Sequence, residues 1–523
     1  MKTNRLKKFR IGISLFFLIL IAFLFIDFSN LMPDLVYQIS LQLQFVPGIL
    51  HVISGITLFS LLFVAVIILT LLFGRVYCST ICPLGTLQDV ISYIGRKTSK
   101  KRKIFRFKKE WYWLRYGILS AVIISYLLGF VLLINLLDPY TNFGKIFSVT
   151  GRPVYAFLNN NLAGLLAKFD NYSLYAVDLK QTIWPFFVYP TVFLITVGLF
   201  SFFRGRLYCN SICPVGTLLG LISKTSLYKI SIVKNSCSSC ARCAIVCKSG
   251  CIDFRAKEVD FSRCVGCFNC LKTCPDNAIG FRNSYAKAPE KTVNTAKRAF
   301  LIQSAAITAG TLGFMKTADA IAQENHGGEN TNSNVPVKKT QPVVPPGGIS
   351  IKHFTETCTA CQICVSACPM HVLQPSVNEY GWEGFMQPTM DFWKGYCNFE
   401  CTKCTRMCPT GALRFVGHDE KKTLQLGKVN FIKENCIVDI NEKSCGACAE
   451  HCPTSAVIMV PYKGQLTIPE TNQKLCIGCG ACECVCPARP NKAIYVDGNT
   501  EQLVAEKPVI KKQEVDNSKD FPF

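Results

Sequence analysis

The stretches that decide the fold are CSSCARCAIVC at residues 237–247 and CVGCFNCLKTCP at residues 264–275. In both, successive cysteines are separated by two, two and three residues, and a proline follows the second stretch's last cysteine. An iron–sulfur cubane needs four soft thiolate ligands in a tight shell, and this spacing places three of them on one loop. The two stretches therefore predict two [4Fe-4S] clusters held close together.

The eight cysteines of these stretches form the first set of predicted ligands. In two-cluster ferredoxins the fourth cysteine of a run ligates the cluster of the other run. We therefore expect Cys274 to join the first trio and Cys247 the second. Lys248 stands where a proline usually follows the fourth cysteine. A zinc site would use two separated pairs of ligands instead of two runs of four. The predicted ligands are Cys237, Cys240, Cys243, Cys247, Cys264, Cys267, Cys270 and Cys274.

A second cysteine-dense region carries four more quartets, so we expect about six [4Fe-4S] clusters in all. The first and last quartets have the ferredoxin spacing, and the middle two depart from it in their first interval. A disulfide framework, typical of short secreted chains, does not account for 30 cysteines grouped in a chain of 523 residues. The predicted ligands are Cys358, Cys361, Cys364, Cys368, Cys397, Cys401, Cys404, Cys408, Cys436, Cys445, Cys448, Cys452, Cys476, Cys479, Cys482 and Cys486.

The remaining six cysteines fall outside these quartets. GRVYCSTICPLGTL at residues 74–87 is repeated as GRLYCNSICPVGTL at residues 205–218. Each copy places two cysteines four residues apart, on one face of a helix, and a proline follows. Together the copies supply Cys78, Cys82, Cys209 and Cys213, which we interpret as ligands of a further metal centre or as redox thiols; packing cysteines and disulfide chemistry remain alternatives. Cys251 and Cys484 are interpreted as buried or incidental thiols.

Hydropathy predicts a membrane protein. Half of the residues are hydrophobic and the net charge is +23, a pairing that most soluble domains do not show. A spanning helix needs roughly 20 apolar residues. Four stretches meet that length, and the first is taken as a retained helix and not as a cleaved signal. They are residues 11–28, 52–73, 116–137 and 183–203.

Positive charge sets the predicted orientation. Five Lys and Arg residues precede the first span, and residues 96–109 hold nine without an acidic residue. The positive-inside rule then places the N-terminus, the loop at 74–112 and the chain after residue 203 in the cytoplasm of a bacterial inner membrane. Binding of anionic lipid is an alternative use of the basic run. Nothing else in the chain resembles a nucleic-acid-binding fold, so no nucleic-acid partner is expected.

The predicted fold class is an α-helical membrane domain, with four spans and a fifth, joined to two ferredoxin-like α+β [4Fe-4S] modules. The helical hairpin repeat suggests two copies related by an axis along the membrane normal. A stretch rich in Asn, Gly and Pro resembles a flexible linker. We expect a membrane domain at 1–220, a two-cluster module at 221–290, a signal-like or fifth membrane segment at 291–322, the linker at 323–349, a four-cluster module at 350–500 and a polar tail at 501–523.

The chain lacks other redox machinery. It has no Cys-x2-Cys-His haem site, and no glycine-rich dinucleotide motif follows a predicted strand. A lipid-soluble quinol from the membrane pool is then the natural electron source. Quinol oxidation needs a proton acceptor. The available candidates lie at the outer ends of spans and are Asp27, Asp34, His51 and Asp138. An ordinary role at the membrane boundary is the simpler interpretation of each, and no quinone site is assigned.

These motifs resemble a known pair of proteins. Residues 1–285 resemble the NapH-type membrane ferredoxin of periplasmic nitrate reductase systems, and residues 297–500 are similar to its NapG-type partner, a four-cluster extracytoplasmic ferredoxin. The resemblance implies quinol-linked electron transfer, and a possible quinol dehydrogenase role, toward an extracytoplasmic reductase or cytochrome. The membrane half is also similar to NosR-type and CcoG-type proteins, which leaves open a role in maturation of a metalloenzyme. A purely structural subunit of a respiratory complex is a third reading.

A further resemblance concerns export. Lys297 and Arg298, followed by Phe300 and Leu301, resemble a twin-arginine signal with Lys in place of the first Arg. A domain folded around clusters cannot cross a membrane as an extended chain, so this route suits the second module. We interpret residues 297–322 as a retained fifth span that places the second module outside the cytoplasm; a helix packed within the cytoplasm is the alternative.

Overall fold

The fold is taken from a computed structural model, which describes residues 2–26, 32–54, 60–98, 105, 107, 111–173, 184–284, 335–393 and 395–507. The N-terminal part is helical, and the two cysteine-rich regions are mixtures of short strands and short helices. The predicted fifth segment at 297–322, the linker up to residue 334 and Asp27 lie outside the described residues. They stay predictions.

The membrane part contains thirteen described helices, most of them short, and a π-helix at Phe147–Gly151. They are α1 Lys2–Ile26, α2 Asp34–Gln42, α3 Phe45–Ser54, α4 Ser60–Phe73, α5 Tyr77–Thr80, α6 Pro83–Thr98, α7 Tyr112–Leu127, α8 Leu132–Leu137, α9 Pro139–Ile146, α10 Arg152–Ala167, α11 Trp184–Arg204, α12 Leu207–Ser211 and α13 Pro214–Ser223.

Two of the predicted spans are single helices that are long and apolar enough to cross a membrane, Arg5–Ile26 in α1 and Phe186–Arg204 in α11. A third crossing exists only if Asp34–Gln42 and Phe45–Ile53, bent by 92°, count as one span. The prediction of four spans and a fifth is therefore not supported, because the described helices in two of the predicted spans are short. Helix α4 has 14 residues. Such a helix is about 21 Å long against a hydrocarbon core of about 30 Å.

The predicted span at 116–137 ends early for a local reason. Helix α7 stops at Leu127, and Gly129 takes a left-handed backbone with φ of +86°. Glycine adopts that conformation without the cost other residues meet. The hydroxyl of Ser125 and the carbonyl of Phe130 form a 2.6 Å hydrogen bond that closes the turn before α8 begins. Hydropathy averages over this break and does not detect it.

The sequence repeat is also a structural repeat. In each copy an apolar helix, α4 or α11, is followed by a glycine with positive φ, Gly74 at +78° and Gly205 at +74°. A helix of four or five residues then carries the first cysteine, and a third helix begins at the proline after the second cysteine. Proline suits the first position of a helix because its missing N–H would be unpaired there in any case. The two copies thus fold alike.

The first cysteine-rich module covers residues 228–284. Strand β1 pairs antiparallel with β4, which brings the two ends of the module together, and β2 pairs with β3. Its small apolar core includes Ile230, Ile252 and Leu271. Its elements are β1 Tyr228–Ile232, a 3-10 turn at Lys234–Ser236, α14 Arg242–Ile245, β2 Ile252–Asp253, β3 Glu258–Val259 and β4 Ile279–Asn283.

The second module covers residues 335–507 and is built of three antiparallel strand pairs, β5 with β6, β7 with β10 and β8 with β9. Short helices and 3-10 turns, at Trp382–Gly384 and Lys433–Asn435, join them. Its other elements are α15 Ile351–Thr357, α16 Ile363–Ala367, β5 Leu373–Pro375, β6 Pro388–Met390, α17 Lys403–Met407, α18 His418–Thr423, β7 Leu424–Phe431, α19 Ile437–Asn441, α20 Ala447–Glu450, β8 Val457–Pro461, β9 Thr467–Thr471, α21 Ala481–Val485 and β10 Ile494–Val504.

The two modules dock at different heights along α1. Near its N-terminal end, Arg10 binds Asp89, and the same carboxylate binds Lys248 of the first module. Near its C-terminal end, the Phe25 carbonyl accepts a 3.1 Å hydrogen bond from the Ser366 hydroxyl of the second module. Fifteen residues of helix separate Arg10 from Phe25, which is about 22 Å. The first and second modules therefore lie toward opposite ends of the first spanning helix.

Candidate iron-sulfur centres

The first module contains two cavities, each surrounded by cysteines. The first is lined by three cysteines of the first run together with Cys274 of the second. The other is lined by Cys264, Cys267 and Cys270 with Cys247 of the first run. This is the exchange of fourth cysteines expected from ferredoxin spacing. Cys251 also lines the second cavity, and its sulfur is 3.5 Å from that of Cys247.

The second module repeats the exchange. Three further cavities are each lined by four of the predicted cysteines. In every case three cysteines come from one run and the fourth from another. The sets are Cys358, Cys361, Cys364 and Cys408; Cys368, Cys397, Cys401 and Cys404; and Cys436, Cys445, Cys448 and Cys486.

The sixth set is recognised from its electrostatics. Burial raises the pKa of the Cys476, Cys479 and Cys482 thiols, and nearby Cys452 contributes to the rise in each. Cys452 belongs to the preceding quartet, so the same exchange operates here. Cys397 and Cys436, whose runs have an irregular first interval, both lie in cysteine sets. All 24 predicted cysteines of the two modules are thus grouped in fours.

The loops around these sets suit iron–sulfur clusters. Backbone N–H groups approach the sulfurs, at 3.4 Å from Ala360 to Cys358 and 3.3 Å from Gly478 to Cys476. Such hydrogen bonds to ligand sulfurs are one means by which proteins tune cluster potentials. Among the described residues, no three His, Cys, Asp or Glu side chains lie close enough to hold a single metal ion.

Positive φ angles recur in the four runs with ferredoxin spacing. The residues two and four positions after the first cysteine are left-handed in each, although five of these eight residues are not glycine. Such backbone is costly for other residues and persists only where the surroundings require it. The pairs are Ser239 and Ala241, Gly266 and Phe268, Ala360 and Gln362, and Gly478 and Gly480. The same ligand loop is thus built four times.

Sets within the second module contact one another. Burial raises the pKa of the Cys364 thiol, and Cys404 of the next set raises it further. The backbone N–H of Cys397 donates a 2.9 Å hydrogen bond to the carbonyl of Cys479, which joins the next two sets. At the membrane side, Cys267 of the first module and Cys361 of the second lie in one continuous apolar core with residues of the membrane part. One ligand set of each module thus packs against the apolar core of the membrane part.

The same core contains Cys78, Cys82, Cys209 and Cys213, so the structure brings the two motif copies together. Two of the proton-acceptor candidates, Asp34 and Asp138, have structural roles. Asp34 pairs with Arg406 of the second module at 3.5 Å, and Asp138 caps α9 through a 2.7 Å bond from the Thr141 N–H.

Sequence reasoning missed a buried ion network beside the first module. Asp89 binds Arg10, Arg206 and Lys248 at 3.3, 2.9 and 3.2 Å. Burial raises the pKa of the Asp89 carboxyl, but these cations outweigh that effect and hold it well below its usual value. Lys248, which replaces the usual proline, is therefore a docking residue. The sequence feature that could have indicated this network is the Gly-Arg pair before each CxxxCP motif.

Comparison with known proteins covers the two motif copies and part of the second module. The 4Fe-4S binding domain model Fer4_5 matches residues 56–102 and 186–232, which are the two motif copies. The 4Fe-4S dicluster domain models Fer4_9 and Fer4_7 match residues 357–413 and 396–456. No solved structure matches the chain.

The curated relatives of this chain include ferredoxin-type proteins and an electron transport protein. The ferredoxin-type protein NapF of Escherichia coli is 30% identical over 30% of this chain and 88% of its own length. The ferredoxin-type protein NapH of Haemophilus influenzae is 23% identical over 51% of this chain and 80% of its own. The putative electron transport protein YccM of Escherichia coli is 28% identical over 41% of this chain, and the match spans about half of YccM, 53%.

These matches settle the class of protein. Iron–sulfur electron transfer is common to the ferredoxin-type relatives and to the 4Fe-4S domain models, and two apolar helices are consistent with a place in the inner membrane. The similarity to NosR-type and CcoG-type proteins stays a prediction. The chain belongs to the ferredoxin-type 4Fe-4S electron-transfer proteins, as a fusion of a NapH-type part with a further ferredoxin part.

Proposed function

We propose that this protein carries electrons from quinol in the bilayer, through six [4Fe-4S] clusters, to a redox partner on the extracytoplasmic side. One observation carries the proposal. The 24 cysteines of the two modules fall into six sets of four, and the modules dock toward opposite ends of the first spanning helix. A series of centres with that arrangement suits transfer from one side of a membrane to the other.

Each set has the chemistry of a cluster site. Four thiolates are the ligand number of a cubane, and the cavities are lined mainly by apolar side chains and cysteines. A bound cluster supplies one-electron chemistry. The protein supplies the ligand spacing, N–H groups directed at sulfur, and a lining that restricts water. We assign the 24 cysteines as ligands, in the exchanged sets described above.

Orientation follows from charge. The N-terminal end of α1 carries five Lys and Arg residues before residue 11, and cytoplasmic ends of spans are rich in these residues. The first module docks at that end, so we assign it to the cytoplasm and the second module to the outside. The chain must then pass from Ser284, at the end of the first module, to Val335, at the start of the second. The predicted fifth span within 297–322 would make that crossing.

The first experiment counts clusters. Anaerobically purified protein should contain about 24 irons and as many sulfides per chain from the six sets. Reduction with a quinol analogue should bleach its visible absorption and produce paramagnetic signals. Cys237→Ser should lower the iron content by one cluster, whereas Cys484→Ser, outside every set, should not. Zinc in place of iron, or clusters that quinol does not reduce, would overturn the proposal.

The second experiment tests orientation. Sealed right-side-out vesicles should expose the second module to added protease and protect the first, so antibodies to residues 228–284 and 350–500 should distinguish the two. Permeabilised vesicles serve as the control, because both modules are then accessible. Protection of both modules in sealed vesicles would place them together in the cytoplasm and refute the assigned route.

A further inference from the structure

The two ligand sets of the first module differ in their access to water. The outer set comprises Cys237, Cys240, Cys243 and Cys274, and the inner set comprises Cys247, Cys264, Cys267 and Cys270. The inner cysteines are all buried, at 5–8% exposure, and each of the four sets of the second module contains at least two buried cysteines. None of the outer four is buried, and Cys240 is the only exposed cysteine among the chain's 30, all of which the structure describes. The outer set therefore opens to solvent.

The proposed path from quinol does not need the outer set. Cys267 of the inner set and Cys361 of the second module both lie in the apolar core of the membrane part, so a route from the bilayer through that core bypasses the outer cysteines. The outer set nevertheless adjoins the inner one. Burial raises the pKa of the Cys270 thiol, and four neighbouring cysteines, including Cys243 of the outer set, raise it further. An exposed set next to a buried one is suited to exchange electrons with a partner in solution.

Positive charge borders the outer set. Arg242 lies within the run that supplies three of the outer ligands, Lys272 lies two residues before the fourth, and both side chains are exposed. Exposed Arg255 follows a phenylalanine that lines the outer cavity. The Lys257 ammonium donates a 2.9 Å hydrogen bond to the Cys237 carbonyl. Four cations thus flank the set that opens to solvent.

Three of these cations are not neutralised within the module. The ion pairs of the first module use other cations, so Arg242, Arg255 and Lys272 form no ion pair within the described part of the chain. Asp276, which also lines the outer cavity, accepts a hydrogen bond from the Ser238 hydroxyl. The whole module contains nine Lys and Arg against four Asp and Glu, which leaves a net charge of +5. Such a surface attracts a negatively charged partner.

Buried positive charge lies next to the inner set. Lys248 directly follows an inner ligand. It shares Asp89 with two arginines, and two further arginines donate to the neutral Ser262 carbonyl, two residues before another inner ligand. The five cations, each at most 7% exposed, are Arg10, Arg75, Arg115, Arg206 and Lys248. Nearby positive charge stabilises the reduced, more negative state of a cluster. We therefore expect a higher reduction potential at the inner set, so an electron delivered to the outer set is drawn inward.

We propose that the outer set is a docking site for a soluble, acidic one-electron carrier protein of the cytoplasm, which donates electrons there. The inference rests on the proposed function, which assigns the first module to the cytoplasm, and adds a second entry for electrons. The carrier is oxidised by one electron, the outer set receives that electron, and the inner set receives it next. No bond forms or breaks, and no proton is transferred.

The first test uses the unmodified chain, purified anaerobically in detergent. The probe is a reduced plant-type [2Fe-2S] ferredoxin, which is small, soluble and acidic. Stopped-flow absorption measures the second-order rate of electron delivery. This rate should fall about tenfold or more between ionic strengths of about 0.01 M and about 1 M, because the Debye length shortens from about 30 Å to about 3 Å. A rate that does not fall with added salt would overturn the proposal.

Charge reversal locates the docking site. Arg242→Glu with Lys272→Glu should lower the rate at low ionic strength about tenfold, and should weaken binding of the oxidised ferredoxin, measured by calorimetry, by a similar factor. The matched control is Lys443→Glu with Lys474→Glu, which reverses two exposed charges that each lie two residues before a ligand of the second module. The control pair should keep both values. Equal rates in the two pairs, or a loss in the control pair alone, would overturn the proposal. If the first pair loses iron, Arg255→Glu, outside the ligand runs, repeats the test.

Two comparisons separate this inference from its rivals. Reduction by a quinol analogue should be the same in the Arg242 and Lys272 pair as in the parent protein, because that electron enters from the bilayer. Quinol reduction without ferredoxin binding in the unmodified chain would overturn this inference and leave the proposed function intact, whereas absence of quinol reduction would overturn the proposed function. A parent-like rate in the pair, with weaker binding to vesicles of phosphatidylglycerol, would assign these cations to a lipid surface and overturn the docking site.

The order of potentials gives a readout that does not involve docking. Redox titration of the unmodified chain, followed by paramagnetic resonance, should show a higher potential for the inner set of the first module than for the outer set. Cys237→Ser should remove the signal with the lower of these two potentials. Loss of the higher-potential signal in that variant would overturn the inward direction of transfer.

Discussion

Replacing Asp89 with asparagine tests the ion network that fixes the first module to the membrane part. Its carboxylate pairs with three cations at 2.9–3.3 Å, and all four side chains are at most 11% exposed. Removing one partner of a buried pair costs about 3 to 5 kcal/mol, because the remaining charge stays buried without compensation. We therefore expect Asp89→Asn to lower the free energy of unfolding by about 3 to 5 kcal/mol.

The matched control is an exposed pair in the same module. Lys234 and Glu258 lie 3.3 Å apart, but their side chains are 65% and 67% exposed. Such pairs contribute about 0 to 1 kcal/mol, so Glu258→Gln should change stability little. Anaerobic urea titrations in detergent, followed by cluster absorption and by intrinsic fluorescence, measure both variants. Equal urea midpoints for the two variants would refute the reasoning.

The network also predicts a pH dependence. Although burial raises the pKa of Asp89, its cation partners dominate and depress it in the folded state. A group with a depressed folded pKa stabilises the protein above its unfolded pKa, about 3.9, and loses that contribution as the pH falls through the folded value. The stability difference between the parent protein and Asp89→Asn should therefore stay constant from about pH 8 to pH 5. A difference that disappears within that range would contradict the assigned partners.

Three further changes follow from the geometry. Gly216→Ala should lower the yield of cluster-loaded protein, because the new Cβ would lie 2.2 Å from a backbone carbonyl oxygen. Gly198→Ala is the control and should leave the yield unchanged, because nothing lies within 4 Å of its new Cβ. Equal yields of the two variants would refute the close packing of the motif. Cys247→Ser should alter the paramagnetic signal of the other run's cluster, and a change confined to its own run would exclude the exchange. Burial lowers the pKa of Lys145 to about 7, so this side chain carries a positive charge near the second module's first ligand set mainly below that pH. Lys145→Met should therefore lower the reduction potential of that cluster at about pH 6; a redox titration at that pH with no shift would contradict this placement of the charge.

Cysteine spacing was the most informative part of the sequence, because a ligand loop is local: its thiols and its left-handed backbone lie within about ten residues. Pairing between runs is not local. In the second module, Cys368 crosses to the set around Cys401, and Cys452 crosses to the set around Cys479. The irregular first intervals of the middle runs hid that order, so the spacing alone left the pairing in this module open.

Hydropathy and charge, averaged along the sequence, predicted the membrane part only incompletely. Hydropathy located α1 and α11, where apolar helix is continuous, but not the turn at Gly129. Charge was read only as topology. Arg10 counted toward the positive cytoplasmic end, yet it is 6% exposed and bound to Asp89. A buried ion network depends on residues distant in sequence, and one sequence without a structure does not reveal which charges meet.

Fusion of the membrane part and the second module in one chain has a physical consequence for electron transfer between them. NapH and NapF are separate chains, whereas here the corresponding parts are one chain and belong to one compact unit. The ion pair between Asp34 of the membrane part and Arg406 of the second module is 43% and 34% exposed, which is typical of pairs worth less than about 1 kcal/mol. The ligand set at Cys361 is held against the membrane part mainly by the apolar core that both share. Covalent linkage makes this docking intramolecular and raises the effective concentration of one part at the other.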